Sequence, residues 1–308
     1  MLFTKTRPLR IGTDCSGIEA PIVALQQLKI PFQHVFSSEI DPSCISTIQS
    51  NFHPQILFHD MRQRSLKEIP DIDVYVCGFP CQPFSITGNR KGTMDPRGTI
   101  FWECVRVIVQ KRPLFFILEN VPGILSIQEG KLFHSMMDAL QRIKGYYVDW
   151  KILNTKDYGI PQSRKRVFII GFQIQYKQSE WKWPISIPCK SLHDYIDFSD
   201  NQRHSNITPR MQIIFDNVPE GSKFINLSFA RDTNRNTHQF CPTITASGNM
   251  WCVPLMRYAS VKELLRLQGF STRMKFHKIS NWKRKRQIGN SISVNVLKAL
   301  FINLIHLF

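Results

Sequence analysis

The sequence lacks several features that mark membrane, secreted or metal-binding proteins. It shows no apolar run of about 18 residues and no basic-then-apolar leader, so we expect neither a membrane span nor a secretion signal. The eight cysteines are scattered, unlike those of a small disulfide-rich secreted chain. Cys77 and Cys81 are spaced C-x-x-x-C, without a second pair or nearby histidine to complete a zinc site. We expect reduced thiols, a cytosol-like compartment and no metal.

Acidic residues are also scarce. Asp and Glu total 23 against 40 Lys and Arg, which gives a formal net charge of +17. This excess says nothing about the fold, but it favours a polyanionic partner. An anionic membrane surface is the alternative, and nucleic acid is the better interpretation because no membrane span is visible. The length of 308 residues allows one large domain or two smaller ones with a substantial core.

Short apolar strands alternate with amphipathic helices through the first part of the chain. The predicted strands are 9–13, 34–40, 56–58, 73–77, 114–118, 148–153 and 166–172. This alternation predicts an α/β fold, with a mostly parallel sheet covered by helices on both faces. Near the end of the chain, Asn290-Ser291 is predicted to cap a helix whose apolar face includes Val294, Leu297 and Phe301. We expect this helix to complete the first domain.

The pattern changes between about residues 173 and 262. This region contains six prolines and few segments in which apolar residues recur at the spacing of a helix or a strand. We therefore predict a separate, loop-rich lobe. The alternative is a long insertion without a function of its own, although long loops are uncommon unless functional. The predicted domains are 1–175, completed by 286–308, and a second domain with its hinge over 176–285.

The stretch Gly78-Phe79-Pro80-Cys81-Gln82-Pro83-Phe84-Ser85 follows the fourth predicted strand. Gly and Pro end this strand, so Cys81 is predicted on a turn just past its carboxyl end, where ligands bind in open parallel sheets. A second proline restricts the turn, which suits a nucleophile that must be held in place. A buried structural cysteine is the alternative. The proline setting favours Cys81 as the nucleophile.

Three more polar clusters follow predicted strands: Asp14 to Glu19, Glu39, and Glu119-Asn120. The carboxyl ends of parallel strands share one edge of a sheet, so these clusters are expected to share a cleft with Cys81. Glu39 follows Gly17 by 39 − 17 = 22 positions, near the spacing of a ribose-binding acid in nucleotide-binding folds. The first loop, residues 14–19, has only one glycine and so lacks a cradle for a pyrophosphate. A nucleoside ligand without phosphates therefore fits better than a dinucleotide. A solvated strand-end carboxylate is the alternative.

Other charged residues are candidates for contacts with a ligand. Burial of Glu119 at the end of an apolar run would favour a proton donor, and a capping or salt-bridged residue is the alternative. Arg164 and Arg166 are predicted to point to one side of a strand, where they could hold an anionic or carbonyl-rich substrate. A solvated charge run is the alternative. The basic run 282–286 fits phosphate contacts, a nuclear-localisation patch or a plain surface loop.

The motifs taken together resemble those of the DNA cytosine-5 methyltransferase family, in the same order and over nearly the whole chain. They are GFPCQPFSITG, ENVPGI, DYGIPQSRKRVFIIG, PTIT, ELLRLQGF and QIGNSISVNV. The resemblance implies a large Rossmann-like domain dependent on S-adenosylmethionine and a small target-recognition lobe, with double-stranded DNA in the cleft between them. It implies no metal, a monomer, and an intracellular location with the DNA, in a prokaryote, a nucleus or a viral factory.

The resemblance also implies roles for individual residues. Cys81 would attack C6 of a flipped cytosine, Glu119 would contact N3 and supply a proton, and Arg166 with Arg164 would orient the ring. Glu39 would hold the cofactor ribose, and Asp60 the adenine amino group. The implied cofactor residues are Cys15, Ser16, Gly17, Ile18, Glu39, Ile40, Asp60, Met61, Gly78, Pro80, Ile100, Asn290 and Ser291. The implied DNA contacts are Gln82, Ser85, Arg97, Thr243, Thr245, Lys283, Arg284 and Lys285.

The sequence departs from the family pattern in the first loop. The family usually has an acidic residue, Phe and two or more glycines there; this chain has Thr13, Cys15 and Glu19, with Asp14 shifted by one position. Ile40 stands where the family often has Trp, so we expect somewhat weaker cofactor binding. A tRNA cytosine-5 methyltransferase and a non-catalytic DNA-binding paralogue are the alternative functions. A cysteine hydrolase is disfavoured because no histidine has a recognisable partner setting.

Overall fold

The computed structural model describes residues 7–80, 99–200, 206–228 and 237–308. The strands are β1 (Leu9–Asp14), β2 (Phe32–Ser38), β3 (Ile56–Phe58), β4 (Val74–Cys77), β5 (Phe115–Asn120), β6 (Tyr146–Asn154), β7 (Lys165–Gln173), β8 (Phe224–Asn226), β9 (Met250–Cys252) and β10 (Arg257–Tyr258). The helices are α1 (Ala20–Gln27), α2 (Pro42–Asn51), α3 (Thr99–Lys111), α4 (Lys131–Gln141), α5 (Pro209–Phe215), α6 (Val261–Gln268), α7 (Asn281–Asn290) and α8 (Val294–Ile305).

Seven strands form the central sheet, in the order β3-β2-β1-β4-β5-β7-β6. Strand β1 pairs in parallel with β2 and β4, and β5 pairs in parallel with β4 and antiparallel with β7. The sheet is therefore mostly parallel, as the alternation of strands and helices predicts. The chain runs outward from β1 to β3 and then returns to β4, so the strand order reverses between β1 and β4. Such a switch point is where open α/β sheets bind ligands.

The core of the sheet follows from continuous apolar strands. All six residues of β5 are buried, as expected for a strand covered on both faces. The Phe115 ring lies 6.3 Å from Phe301 and 6.2 Å from Phe308, so the end of the chain packs against this strand. Asp41 caps α2 by accepting a hydrogen bond from Ser43 N, with Pro42 at the first helical position, as predicted.

The chain divides into two compact units. The first comprises Met1–Leu153, Arg166–Pro184 and Leu300–Phe308, and the second Asn154–Lys165 and Ile185–Ala299. These bounds differ from the predicted domains mainly at 154–165 and 286–299, which belong to the second unit. Segment 154–165 lies there because Gln162 forms a parallel bridge with Cys241.

The second unit contains more regular structure than the sequence predicts. Strands β8, β9 and β10 form an antiparallel sheet, and the fully buried Trp251 packs among Met211, Ile225 and their neighbours. A buried ion pair joins Arg257 to Glu263 through two hydrogen bonds of 2.9 Å, and Ser260 forms a capping box with the same Glu263 at the start of α6. Strands of two or three residues are too short to show a recognisable alternation of apolar and polar side chains in the sequence.

One described segment, Asn281–Ile305, is long and apolar enough to cross a membrane by length and composition, with a mean hydropathy of 1.4. This differs from the expectation that the chain has no such stretch. The segment comprises α7 and α8, which are separated at residues 291–293, and 61% of its apolar window is buried in the protein. Core helices of soluble proteins give the same result, so the segment is weak evidence for a membrane span.

Candidate active site

The carboxyl ends of four neighbouring strands lie along one edge of the sheet. Asp14 at the end of β1 is in register with Ser38 of β2 and Cys77 of β4, and Cys77 is in register with Leu118 of β5. The loops after these strands therefore start side by side, as predicted for the four polar clusters. The first loop and the Gly78–Pro80 segment flank the switch point between β1 and β4.

The first loop is bound to the end of β2. Ser16 N donates to Ser38 O at 3.0 Å, and Ser38 N donates to Ser16 Oγ at 3.0 Å. Gly17 has a φ of 56°, and its N–H donates to Glu39 Oε2 at 2.7 Å. Of the other predicted cofactor residues in this loop, Cys15 is partly exposed and Ile18 is fully buried. Because the side chains of Ser16 and Ile18 are buried, the loop can contact a ligand mainly through its backbone.

Glu39 is not the solvated strand-end carboxylate that the sequence left as an alternative. Its Oε1 accepts from the N–H groups of Ile40 and Asp41, each at 2.9 Å. Burial raises the pKa of the Glu39 carboxyl above its usual value, against these hydrogen bonds and that from Gly17, which lower it. Beside it, Ile40 is 67% exposed. A partly desolvated carboxylate next to an exposed apolar side chain suits a nucleoside.

Asp60 has an intramolecular partner that the sequence did not predict. Arg62 donates to it from Nε at 2.9 Å and from Nη2 at 2.6 Å, and these hydrogen bonds hold the pKa of Asp60 below its usual value. An adenine amino group would have to share this carboxylate with Arg62. Met61, predicted to lie against the cofactor, is buried in the core.

A buried ion pair that the sequence did not predict lies where the first loop begins. Arg64 donates from Nη1 to Asp14 Oδ1 at 2.6 Å and to Ser38 Oγ, and Tyr75 Oη donates to Asp14 Oδ2 at 2.6 Å. Both charged side chains are almost completely buried. Asp14 is thus bound within the protein, and no local pattern links it to an arginine 50 positions later.

The segment before Cys81 is anchored to the end of β5. Asn120 Nδ2 donates to Phe79 O at 2.9 Å, and Asn120 Oδ1 accepts from Val121 N at 2.8 Å. Phe79 is buried, and its ring lies 5.7 Å from that of Phe101. The sequence placed Asn120 at the right strand end without giving it a role. The hydrogen bond fixes the backbone two residues before Cys81.

Several predicted site residues near this segment can be placed only in part. Pro80 is exposed and Gly78 partly buried, and Ile100 is partly buried against the core of the first unit. Four predicted residues lie outside the described residues: Cys81, Gln82, Ser85 and Arg97. The roles assigned to them stay predictions.

Glu119 and Arg166 form an ion pair at the end of β5. Arg166 Nε lies 3.1 Å from Glu119 Oε1, and the side chains are 15% and 11% exposed. Glu119 is in register with Phe168 of β7, and Arg166, two residues from Phe168, shares its face of the sheet. Burial lowers the pKa of the Arg166 guanidinium, and the Glu119 charge only partly offsets this. The pair places a carboxylate and a guanidinium beside the Asn120 anchor.

Arg164 has a different role from the predicted one. It is 2% exposed, and its guanidinium donates to the carbonyls of Ile244 at 2.6 Å, Gly289 at 3.1 Å and Ser291 at 2.8 Å, all in the second unit. The expectation that it points with Arg166 towards one substrate is therefore wrong. Alternation of side chains applies within a strand, and Arg164 lies before β7 begins.

Arg164→Ala is expected to destabilise the protein. Each buried carbonyl left without a donor costs about 1–3 kcal/mol, so the loss in free energy of unfolding should reach about 3 kcal/mol or more. Urea denaturation of the full chain measures it. Arg210→Ala, which removes an exposed arginine from α5, is the control and should change stability little. An Arg164 variant as stable as the wild type would contradict the structural role.

The remaining predicted residues of the second unit form local contacts. Thr243 Oγ1 donates to Ser163 O at 2.7 Å, and Thr245 Oγ1 lies 2.8 Å from Ser247 Oγ. Asn290 is exposed and ends α7, and the buried Ser291 follows it. Helix α8 begins only at Val294, so the prediction that Asn290-Ser291 caps that helix is wrong.

The basic run lies on helix α7 and not in a loop, and its side chains divide between two environments. Trp282, Lys283 and Arg286 are exposed. Arg284 donates from Nε to Ile279 O at 2.7 Å, and Lys285 Nζ lies 5.5 Å from the centre of the Tyr258 ring. Burial lowers the pKa of Lys285. Arg284 and Lys285 are therefore turned towards the protein, in contrast to the predicted run of three phosphate contacts.

Comparison with known proteins identifies the family and the fold of the chain. The model of the C-5 cytosine-specific DNA methylase family matches residues 15–306. The chain belongs to this family. Type II methyltransferase M.Bsp6I from Bacillus sp. (strain RFL6) is 30% identical over 318 residues, covering 96% of this chain and 98% of the relative. Type II methyltransferase M.HaeII from Haemophilus aegyptius is 31% identical over 311 residues, covering 97% and 90%.

Solved structures of methyltransferases have the same fold as this C-5 cytosine methylase. A putative DNA modification methyltransferase encoded within an Escherichia coli prophage superposes with a TM-score of 0.74 at 20% identity, covering 97% of this chain and 99% of that one. DNMT2 from Spodoptera frugiperda gives a TM-score of 0.74 at 18% identity, covering 96% and 99%. The methyltransferase fold and the enzymatic family predicted from the motifs are both confirmed.

Proposed function

We propose that this C-5 cytosine methylase transfers a methyl group from S-adenosylmethionine to C5 of a flipped cytosine in duplex DNA, through a covalent bond between Cys81 and C6. The observation that carries the proposal is the Glu119–Arg166 pair at the carboxyl edge of the sheet, beside the segment that leads to Cys81. The hydrogen bond from Asn120 to Phe79 O supports it, since a nucleophile needs a fixed approach.

Each residue has a defined part in the reaction. Cys81 Sγ attacks C6 as the thiolate and breaks the C5–C6 double bond, while Glu119 supplies a proton at N3 that offsets the charge gained by the ring. Arg166 holds Glu119 in place and helps to orient the ring. S-adenosylmethionine supplies the methyl group at C5. Loss of the C5 proton to solvent, elimination of Cys81 as the thiolate and return of the N3 proton to Glu119 then release the product. Flipping the cytosine costs a few kcal/mol of unstacking.

The residues of the first unit fit S-adenosylmethionine. The donor has no phosphate, which agrees with a first loop containing one glycine, and Glu39 offers a carboxylate for its ribose hydroxyls. Ile40, with its side chain exposed, offers an apolar face to the adenine, and Asp60 can accept from the adenine amino group beside Arg62. Asn290 and Ser291 stay predicted contacts of the donor.

We assign DNA phosphate contacts to the outer face of α7, formed by Trp282, Lys283 and Arg286. The last 45 residues, 264–308, contain nine Lys and Arg and no Asp or Glu, so nothing acidic in this segment offsets the charge. Exposed cations near phosphates release counterions and give affinity that depends on salt. The Trp282 indole is 55% exposed, and Arg286 lies over its ring at 5.5 Å. Thr243, Thr245, Gln82, Ser85 and Arg97 stay proposed DNA contacts.

The double variant Lys283→Gln/Arg286→Gln is expected to weaken DNA binding alike on all sequences and to reduce the salt slope of log K by about 2, or about one per phosphate contact. Fluorescence anisotropy over a salt series measures this. Arg142→Gln/Lys144→Gln removes two exposed charges between α4 and β6 and serves as the matched control. An equal change of slope in both double variants would show net charge alone and refute the α7 surface.

A comparison of substrates tests the proposed function. Methyl transfer from labelled S-adenosylmethionine is measured on duplex DNA and on tRNA, and bisulfite sequencing of DNA from cells expressing the chain locates the modified cytosines. We expect transfer to DNA by a monomer that acts inside the cell, where the DNA lies. Transfer to tRNA alone would establish the RNA alternative. DNA binding without any transfer would establish the non-catalytic paralogue, which the presence of Cys81, Glu119 and Arg166 argues against.

A further inference from the structure

Glu19 is a buried carboxylate in an unusual backbone position. It directly precedes α1, is completely buried, and has φ 61° and ψ 48°. This left-handed conformation favours glycine, because a side chain there is sterically strained. A glutamate kept at such a position must be stabilised by its side-chain contacts.

The Glu19 carboxylate joins β1 to β2. Its Oε1 accepts from Thr13 Oγ1 at 2.8 Å and from Ser37 Oγ at 2.5 Å, and it lies 3.4 Å from His34 Nε2. His34 Nε2 is in turn 2.9 Å from Ser37 Oγ. Oε2 of Glu19 has no hydrogen-bond partner within the described parts of the chain. Oε1 of Glu19 thus makes all three of these contacts.

This network continues to the predicted cofactor carboxylate. Thr13 Oγ1 lies 2.8 Å from Ser16 Oγ, which accepts from Ser38 N. Ser16 and Gly17 are adjacent, and Gly17 N–H donates to Glu39 Oε2. Three hydrogen bonds and the covalent link between Ser16 and Gly17 therefore connect the Glu19 carboxylate to that of Glu39, which is proposed to hold the ribose. A shift of Thr13 or Ser16 would be passed to Gly17 and Glu39 through these hydrogen bonds.

We infer that Glu19 is a positioning residue for the methyl donor: its carboxylate holds Thr13, Ser16 and Ser37 so that Gly17 and Glu39 keep the geometry that binds the nucleoside. The inference rests on the proposed use of S-adenosylmethionine. Glu19 does not touch the donor. A glycine at this position would leave the loop free to move, whereas Glu19 holds the loop in place through its hydrogen bonds.

Glycine at this position separates the two possible roles of Glu19. If only the backbone conformation matters, Glu19→Gly relieves strain and donor binding stays equal or improves. If the carboxylate positions the loop, the same variant weakens binding by at least about tenfold, or about 1.4 kcal/mol. Glu19→Gln keeps an accepting oxygen for Thr13 and Ser37, so it should bind within about threefold of the wild type, since a threefold change is below 1 kcal/mol.

The readout is the dissociation constant of S-adenosylmethionine and S-adenosylhomocysteine, measured by calorimetry on the full chain. Glu129→Gly is the matched control, because Glu129 also has a left-handed φ of 57° but its side chain is 87% exposed. It should leave the dissociation constant unchanged. Methyl transfer at saturating donor should persist in Glu19→Gly, with the loss confined to KM for the donor.

The outcomes decide between the two ideas. Wild-type binding by Glu19→Gly would overturn the inference, and so would a glutamine variant as weak as the glycine variant. If Glu19→Gly does not fold, Ser37→Ala removes one hydroxyl donor and is expected to weaken binding by about threefold; unchanged binding in that variant would overturn the inference. Failure of the wild type to bind either compound would instead reject the proposed function.

Discussion

Cys81→Ala is expected to abolish methyl transfer, lowering turnover by at least about 10⁴-fold, while DNA binding stays largely intact. The thiolate is the group that bonds to C6, and alanine leaves no nucleophile in its place. The anchoring contacts of the preceding segment, through Phe79 and Asn120, do not involve the thiol. Transfer of labelled methyl groups measures turnover, and fluorescence anisotropy measures DNA binding.

Cys189→Ala is the control for this prediction. Cys189 is a free, partly exposed thiol of the second unit with no assigned role, so its removal should leave turnover unchanged. Near-normal turnover in Cys81→Ala would contradict the covalent mechanism. Loss of turnover in both variants would point to a general sensitivity to cysteine replacement and would equally contradict the assignment to Cys81.

Glu119→Gln is expected to lower kcat by about 10²–10⁴-fold, the usual contribution of a general acid. The amide keeps the size of the side chain but cannot transfer a proton to N3. Arg166 then lacks the charge that now lies 3.1 Å from its Nε, so the ring is also held less firmly. Single-turnover kinetics at saturating DNA and donor separate this loss from changes in binding.

Glu103→Gln provides a matched control, because Glu103 also pairs with an arginine, Arg106, at 2.8 Å on helix α3. Its replacement should leave kcat unchanged, since its partner Arg106 is 59% exposed and such ion pairs within a helix contribute little. A Glu119→Gln enzyme within about threefold of the wild-type kcat would show that Glu119 is not the proton donor.

The strand ends of the site could be predicted because they depend on local patterns. Apolar runs gave the strands, and the parallel order then placed Glu39, Glu119 and the Cys81 segment along one edge. The sequence offers a salt-bridged Glu119 only as an alternative and does not name Arg166 as its partner, whereas the structure shows this ion pair. A strand that returns antiparallel to β5 brings a residue 47 positions away onto the same face.

The contacts that define the rest of the site are long-range and leave no local signal. The Asp14–Arg64 pair and the three carbonyls bound by Arg164 join residues separated by 50 to 127 positions. The basic run was predicted as a unit because charge alone does not reveal which side of a helix is buried. Helical periodicity explains the result: Trp282, Lys283 and Arg286 share the exposed side.

The covalent step is tested most directly by trapping the enzyme on duplex DNA that contains 5-fluorocytosine at its target site, in the presence of S-adenosylmethionine. After methyl transfer, fluorine at C5 cannot leave as a proton would, so elimination of the thiol is blocked. Mass spectrometry of the trapped peptide should show the pyrimidine attached to Cys81, and Cys81→Ala should give no adduct. Absence of any adduct in the wild type, or an adduct at another residue, would contradict the account.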